Sequence, residues 1–448
     1  VPTPPPPAVT RIVVIGQTDV GRRACALLVE RGIRTVHLSD PSDAELRSAL
    51  AGDVDGVAVL LHDDMRALRY SLAVEHIRPG IRLFVAMFDG TARAQLERTM
   101  RNCVVLSPAA IAVPSMVAAA IAPDHVTVRR RASSQDARWV TIDATAESGS
   151  ASIHGFQLPA RLRVRGWIGR LRGQLHPYDA GSSVLLGGAF GLLLVILIDT
   201  LVGLRHDSLI RALYDATRTT ATISAPELAD EPWVLVWATI AALLVMGLTA
   251  AFAAGIVHHL LSGRHVALVG RRVMPRSGHV VIVGMGQVGL RLAQELRDLG
   301  VAVVGVERFA DASGLPLARD LGIPVVIGDA SSRRVLRRAS LHRAVALVAA
   351  GSEERDNISV SIAAQAVADD ATIVIRAGAD DAIDETRSLF RIGSVVDVNG
   401  LTSVFVVESM LASAPYAVIA VDDRVLAVRE DGQLASLTMA GSARCTCA

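Results

Sequence analysis

HVVIVGMGQVG, residues 279–289, decides the fold. A short, largely β-branched run leads into Gly284, Gly286 and Gly289, after which the chain takes up helical spacing. A strand that turns into a helix in this way offers a pyrophosphate free N–H groups and the positive end of a helix dipole, and glycines let the backbone approach closely. Met285, Gln287 and Val288 complete the turn. Glu307 closes the next strand-like run, VAVVGVE, about 20 residues on, where a carboxylate accepts both hydroxyls of a ribose. Arg308 follows directly and reads as a solvated cation rather than a partner for a 2′-phosphate. NAD or NADH is therefore the expected ligand, with another adenine nucleotide as the alternative. The plainer reading is a Rossmann unit that keeps the fold and binds nothing.

Further runs, IPVVIGDA, AVALVAA, ATIVIRA and SVVDV, continue the pattern of strands separated by helical stretches, which means a parallel sheet. An earlier copy begins at Arg11 with RIVVIG, TVHLSD, DGVAVLL and RLFVAMFD, and this repeat organises the chain. Its turn, GQTDVG, keeps Gly16 and Gly21 but has Thr18 at the middle glycine and Asp19 where it would repel a phosphate. Asp40 ends its second strand, and no GDA-like third strand follows. The first copy is expected to be a shortened structural and dimerising partner without nucleotide.

Between the copies the chain becomes apolar. Of the 448 residues 51% are hydrophobic, which is high enough to place part of the chain in lipid. Residues 183–204, SVLLGGAFGLLLVILIDTLVGL, and residues 233–261 each reach the roughly 20 residues a bilayer-crossing helix needs. Asp199, near the far end of the first run, reads as an interfacial or bundle-facing residue. Arg161, Arg163, Arg165, Arg170 and Arg172 precede the first run, and Arg264, Arg271, Arg272 and Arg276 follow the second, so both flanks should be cytoplasmic. RLRVRGWIGRLRGQL, residues 161–175, sets Val164, Trp167, Ile168, Leu171 and Leu175 against arginines like an interfacial amphipathic helix.

Every basic side chain is arginine, a bias that coding composition explains, and the net charge of +1 decides little; no nucleic-acid partner is expected. The four cysteines, Cys25, Cys103, Cys445 and Cys447, form neither a disulfide framework nor a zinc site, and no metal site is expected. The Pro-rich start, VPTPPPPAVT, reads as a flexible extension rather than a signal peptide.

With HVVIVGMGQVG, the segments VVGVER, VVIGDAS, ALVAAGSEERDN and TIVIRA resemble the regulator-of-potassium-conductance (RCK, or TrkA-N type) family. The resemblance implies that Gly284, Gly286, Gly289, Glu307, Asp329 and Ala330 line a nucleotide cleft, and that Arg376 lies near the ligand or a dimer contact. It also implies a homotetramer of two-span subunits carrying a cytoplasmic ring. LIRALYDATRTTATISAPE then occupies the slot of a pore helix and filter, with Leu209 to Arg218 as a re-entrant helix and Thr222, Ile223, Ser224, Ala225 and Pro226 at the filter. Ser224 and Pro226 stand where a potassium filter has glycine, and residues with a Cβ resist the backbone angles that turn successive carbonyls inward.

The expected fold class is thus two α/β Rossmann-like domains with parallel sheets flanking an all-α membrane domain of two transmembrane helices with a re-entrant pore helix. The expected divisions are a Pro-rich extension (1–10), a degenerate RCK domain (11–124), a basic linker with an amphipathic helix (125–181), the membrane domain (182–262), the NAD-binding RCK domain (263–414) and a short C-terminal hairpin and tail (415–448). The expected function is that of a nucleotide-regulated, ion-channel-like membrane protein for monovalent-cation (potassium) transport with cytoplasmic RCK gating domains; the alternative is a non-conducting, membrane-anchored nucleotide sensor or potassium transport regulator. No catalytic residue is expected, since neither a second cofactor motif nor a proton donor beside a substrate pocket is evident. The setting is a cell membrane, crossed more than once, with both flanking domains in the cytoplasm and lipid and further copies of the chain as partners.

Overall fold

The structure, a computed structural model, describes residues 9–87, 90–131, 138–144, 150–159, 162, 180–205, 208–221, 232–261, 266, 272–275, 277–377, 393–421 and 424–439. It divides into two units, one of Val1–Val164 with Ser277–Ala448 and one of Arg165–Arg276. The filter-like residues Thr222 to Pro226, most of the amphipathic stretch 161–175 and the first eight residues lie outside the described residues.

The first unit opens with β1 (Arg11–Ile15), α1 (Asp19–Glu30), β2 (Arg34–Leu38), α2 (Asp43–Ala49), β3 (Gly56–Val59), α3 (Asp64–Ile77), β4 (Arg82–Ala86), α4 (Gly90–Thr99), β5 (Cys103–Leu106) and α5 (Pro108–Ile121). Its five strands pair in parallel in the order β2-β1-β3-β4-β5. Three antiparallel strands follow, β6 (Thr127–Arg131), β7 (Arg138–Asp143) and β8 (Ser152–Gly155). This stretch had been expected within a basic linker. Both faces of this small sheet are used: Val128, opposite Thr141, joins the core of the second copy, while Ile142 on the other face joins that of the small sheets.

The second unit holds α6 (Ala180–Gly203), α7 (Leu209–Thr220) and α8 (Pro232–Leu261). Residues 181–203 and 235–258 are long and apolar enough to cross a bilayer. α6 and α8 run antiparallel in close contact. A Cβ at Gly188 would meet the Phe252 backbone at 2.9 Å, and one at Gly255 would meet the Leu185 backbone at 2.6 Å. Small residues thus let the two helices approach, as in lipid-embedded pairs. Asp199 accepts a 2.7 Å hydrogen bond from Trp237 Nε1, so its carboxylate has a partner within the helix pair. α7 folds back on α6, with Ala212 against Gly203, and buries Ala212 and Ala216 while Ile210, Leu213 and Tyr214 stay exposed.

The first unit resumes with β9 (His279–Val283), α9 (Gln287–Asp298), β10 (Ala302–Glu307), α10 (Leu315–Asp320), β11 (Val325–Ile327), α11 (Arg333–Arg338), β12 (Ala346–Ala349), α12 (Glu354–Gln365), β13 (Thr372–Ala377), β14 (Ser394–Asp397) and α13 (Val398–Leu411). Its six parallel strands lie in the order β11-β10-β9-β12-β13-β14, which is the first sheet with one strand added. The chain ends its described part with antiparallel β15 (Ala417–Val421), β16 (Arg424–Val428) and β17 (Leu434–Met439), one strand more than a hairpin.

The two copies exchange their last helices. Val113, Met116 and Val117 of α5 join the core of the second sheet with Val280, Ile282 and Val374. Val406, Val407 and Met410 of α13 join the first with Ile12, Val14 and Phe84. Each such side chain contributes roughly 1.5–3 kcal/mol on burial, so neither sheet is complete without the other copy's helix. Arg23 of α1 pairs with Asp397 at 2.5 Å and Arg31 with Glu408 at 2.7 Å, fixing the exchanged helix at both ends. The small sheets that follow α5 and α13 are likewise counterparts: Ile142 and Ala151 share a core with Ile419, Leu426 and Val428, and Ser150 bridges to Gln433.

Candidate functional site

The second sheet reverses direction at β9, which lies between β10 and β12. In open parallel sheets the crevice at the carboxyl ends of such strands is where ligands bind. The glycine turn stands there, and each glycine has a different job. Gly284 takes φ +89°, which disfavours a side chain, and a Cβ would press on the Gly351 backbone at 3.0 Å. Gly289 leaves no room either, since its Cβ would lie 1.9 Å from the Gly284 carbonyl. Gly286 is the helix cap and is exposed; a Cβ there would meet nothing within 4 Å. The open face belongs to Gly286 and Gln287, while Met285 and Val288 turn into the core. This is the geometry a pyrophosphate needs, with open backbone at the start of a twelve-residue helix.

Glu307 ends β10 beside this turn. One carboxylate oxygen accepts the Met285 N–H at 2.8 Å and the other the Arg308 N–H at 2.8 Å, so backbone amides orient it. The second oxygen also accepts the Phe309 N–H at 3.4 Å, and the oxygen facing Met285 retains a lone pair for a ribose hydroxyl. Arg308 is not simply solvated: it reaches Asp329 at 3.6 Å and Asp356 at 3.4 Å, spanning the crevice from β10 to α12. Asp329 accepts from the Ser331 N–H at 2.9 Å and the Ser331 hydroxyl at 2.8 Å. Those bonds, with Arg308 adding a smaller effect, hold its carboxyl below the usual carboxylate range. Ala330 is buried beneath the turn.

Sequence reasoning passed over Asn357. Its side chain accepts from the Gly351 N–H and donates to the Gly351 and Arg376 carbonyls, each at 3.0 Å, and clamps the far wall of the crevice. The residue stood in ALVAAGSEERDN, but an asparagine in a charged run gives no sign that it will be buried. Arg376, on β13, turns toward the Ala350 carbonyl at 3.5 Å, and burial lowers its pKa.

The corresponding turn of the first copy makes different contacts. Thr18 Oγ1 accepts from the Gly21 N–H at 3.1 Å and donates to the Leu60 carbonyl at 2.8 Å, so the side chain itself caps α1. Asp19 pairs with Arg22 at the mouth. Asp40, the counterpart of Glu307, takes hydrogen bonds from Tyr70 and Arg66, which hold its carboxyl below the usual range. The side chains of Thr18, Asp19 and Asp40 thus each have a partner within the chain.

Fold and crevice together define a protein with RCK-like, Rossmann-type domains and a helical region holding two apolar helices. Residues 280–396 match the TrkA-N domain. Potassium channel protein 1 of Methanocaldococcus jannaschii is 23% identical over 114 residues, which is 25% of this chain and 34% of that protein. The chloroplastic K(+) efflux antiporter 1 of Arabidopsis thaliana is 37% identical over 73 residues, 16% of this chain and 6% of the antiporter. The matched stretch therefore spans 34% of the one relative and 6% of the other. Among solved structures, the GsuK channel bound to NAD superposes with a TM-score of 0.51 and 15% identity, covering 91% of this chain and 64% of that one; this is a likeness of fold.

Proposed function

We propose that the chain is a nucleotide-regulated membrane protein for monovalent-cation (potassium) transport, assembled as a homotetramer, in which NAD or NADH in the second copy sets the state of the cytoplasmic domains. The open glycine turn at Gly284, Gly286 and Gly289, with Glu307 poised beside it, carries this reading. Pyrophosphate would sit on the N–H groups opening α9, and Glu307 would hold the adenosine ribose. Residue for residue, Arg308 held between two carboxylates suits a ribose without a 2′-phosphate, since a phosphate there would meet Asp329 and Asp356. The ligand supplies the tie between turn and ribose carboxylate; the chain supplies the response. α9 packs on the exchanged helix α5, through Leu292 and Leu296 against the cluster holding Val113 and Met116, so a shift of α9 reaches the first copy directly.

The apolar helices α6 and α8 support a cell-membrane setting, with both flanking domains on the arginine-rich, cytoplasmic side. The same turn also suits the second reading, a non-conducting sensor or transport regulator, which Ser224 and Pro226 at filter positions favour. Titration of the purified chain with NAD, NADH, ATP and ADP, read by thermal unfolding, tests nucleotide binding. NADH or NAD should raise the melting temperature in proportion to log concentration, and Glu307→Ala should abolish the rise. An equal rise in Glu307→Ala would overturn the assignment.

A further inference from the structure

A cleft of about 200 Å³ opens in the first unit between the start of α5, strand β6, helix α13 and strand β15, and it shares no residue with the glycine turn. Arg129 lines it. The guanidinium stacks over the Tyr416 ring at 4.2 Å, and its Nε is buried without a hydrogen-bond acceptor among the described residues. Burial lowers the pKa of Arg129, yet a guanidinium stays charged in proteins. Its nearest acids, Glu295 and Glu430, act on it only through space, and Glu295 is already paired with Arg291 at 2.8 Å. A second cation, Arg93, lines the cleft and pairs with Glu97, and no carboxylate lines the cleft among the described residues. Burying a cation without an anion is costly, so an anion arriving here recovers energy the empty cleft forgoes.

At the start of α5 two donors are used or missing. Pro108 has no N–H, and the Ala110 N–H is directed at the Ser107 side chain at 3.4 Å. The anion's partner is therefore Arg129 rather than the end of α5. The Nε edge of a guanidinium is a planar fork that matches a planar carboxylate in two parallel bonds. Opposite it the walls are apolar, with Ile111, Phe405 and Val418.

We propose that this cleft binds a small monocarboxylate with a short apolar body, its carboxylate on Arg129 and its body against Ile111, Phe405 and Val418. The site touches α5 and α13, the two exchanged helices, so its occupant biases their packing independently of nucleotide. Calorimetric titration of the full-length chain in detergent, with benzoate and butyrate as probes, tests it. Benzamide and inorganic phosphate serve as an uncharged isostere and an anion without an apolar body. At least one carboxylate should bind saturably, with benzamide and phosphate at least tenfold weaker. Arg129→Gln should weaken the carboxylate at least tenfold. Ala110→Trp, which fills the cleft from an exposed helix position, should do the same with the melting temperature unchanged; it carries the test should Arg129→Gln fail to fold. No saturable binding by either carboxylate, equal binding of benzamide, or undiminished binding in Ala110→Trp would overturn the proposal.

Discussion

Gly286→Ala and Gly289→Ala should separate binding from folding within one turn. A methyl at position 289 would lie 1.9 Å from the Gly284 carbonyl, where ordinary contact begins at 3.4 Å, so strand and helix must part. Overpacking of this kind costs about 1–3 kcal/mol, sometimes more. At about 2.1 cal/mol/K per residue, each kcal/mol moves the melting temperature of so large a unit by about 1–2 °C, so Gly289→Ala should melt roughly 1–6 °C lower. At position 286 the methyl meets nothing within 4 Å, and φ −73° suits any residue. Stability should stay within about 0.5 kcal/mol, as for an ordinary surface change. The methyl nevertheless stands on the face offered to the pyrophosphate, and NADH affinity should fall at least tenfold, about 1.4 kcal/mol. Fluorescence titration with NADH and thermal unfolding of both variants read the two effects. Wild-type NADH affinity in Gly286→Ala would refute the placement of the phosphates, and a wild-type melting temperature in Gly289→Ala would refute the packing argument.

Asn357→Ala strips the half-buried Gly351 amide and carbonyl of their buried side-chain partner, and at about 0.5–1.5 kcal/mol per hydrogen bond lost it should lower the melting temperature and weaken NADH together. Asp397→Ala removes the side chain that accepts the Gly400 N–H at the start of α13 and the carboxylate facing Arg23; loss of the cap alone costs about 1 kcal/mol, read as a lower urea midpoint. His279 is fully buried, and burial pushes its pKa down to about 4 from 6.5. Because the unfolded chain binds the proton more readily, stability should be complete above pH 6.5 and decline as pH falls toward 4, by at most about 3 kcal/mol. His279→Phe should flatten melting temperature against pH across that window, and an unchanged slope would count against the buried neutral imidazole.

The parallel sheets were legible because their strands, buried on both faces, are unbroken apolar runs such as VVIV and ALVA. The glycine turn and Glu307 were legible because their spacing is fixed by a ligand-sized gap. The exchange of α5 and α13 was not. PAAIAVPSMVAAAI and VNGLTSVFVVESML are nearly apolar all round, which says that both faces are buried but not against which sheet. The paired small sheets escaped notice because β6 ends in three consecutive arginines and β7 begins with another, so the stretch resembles a basic linker. Thr18 read as a lost glycine, and its real role, capping α1 with its own hydroxyl, depends on a carbonyl at Leu60 far along the chain.

Potassium-dependent flux into proteoliposomes, measured with and without NADH for the wild type and Gly286→Ala, tests the joint claim of transport and nucleotide control most directly. Flux above protein-free vesicles that changes with NADH in the wild type, and not in Gly286→Ala, is the expected result. Flux at the level of empty vesicles under every nucleotide condition would contradict it.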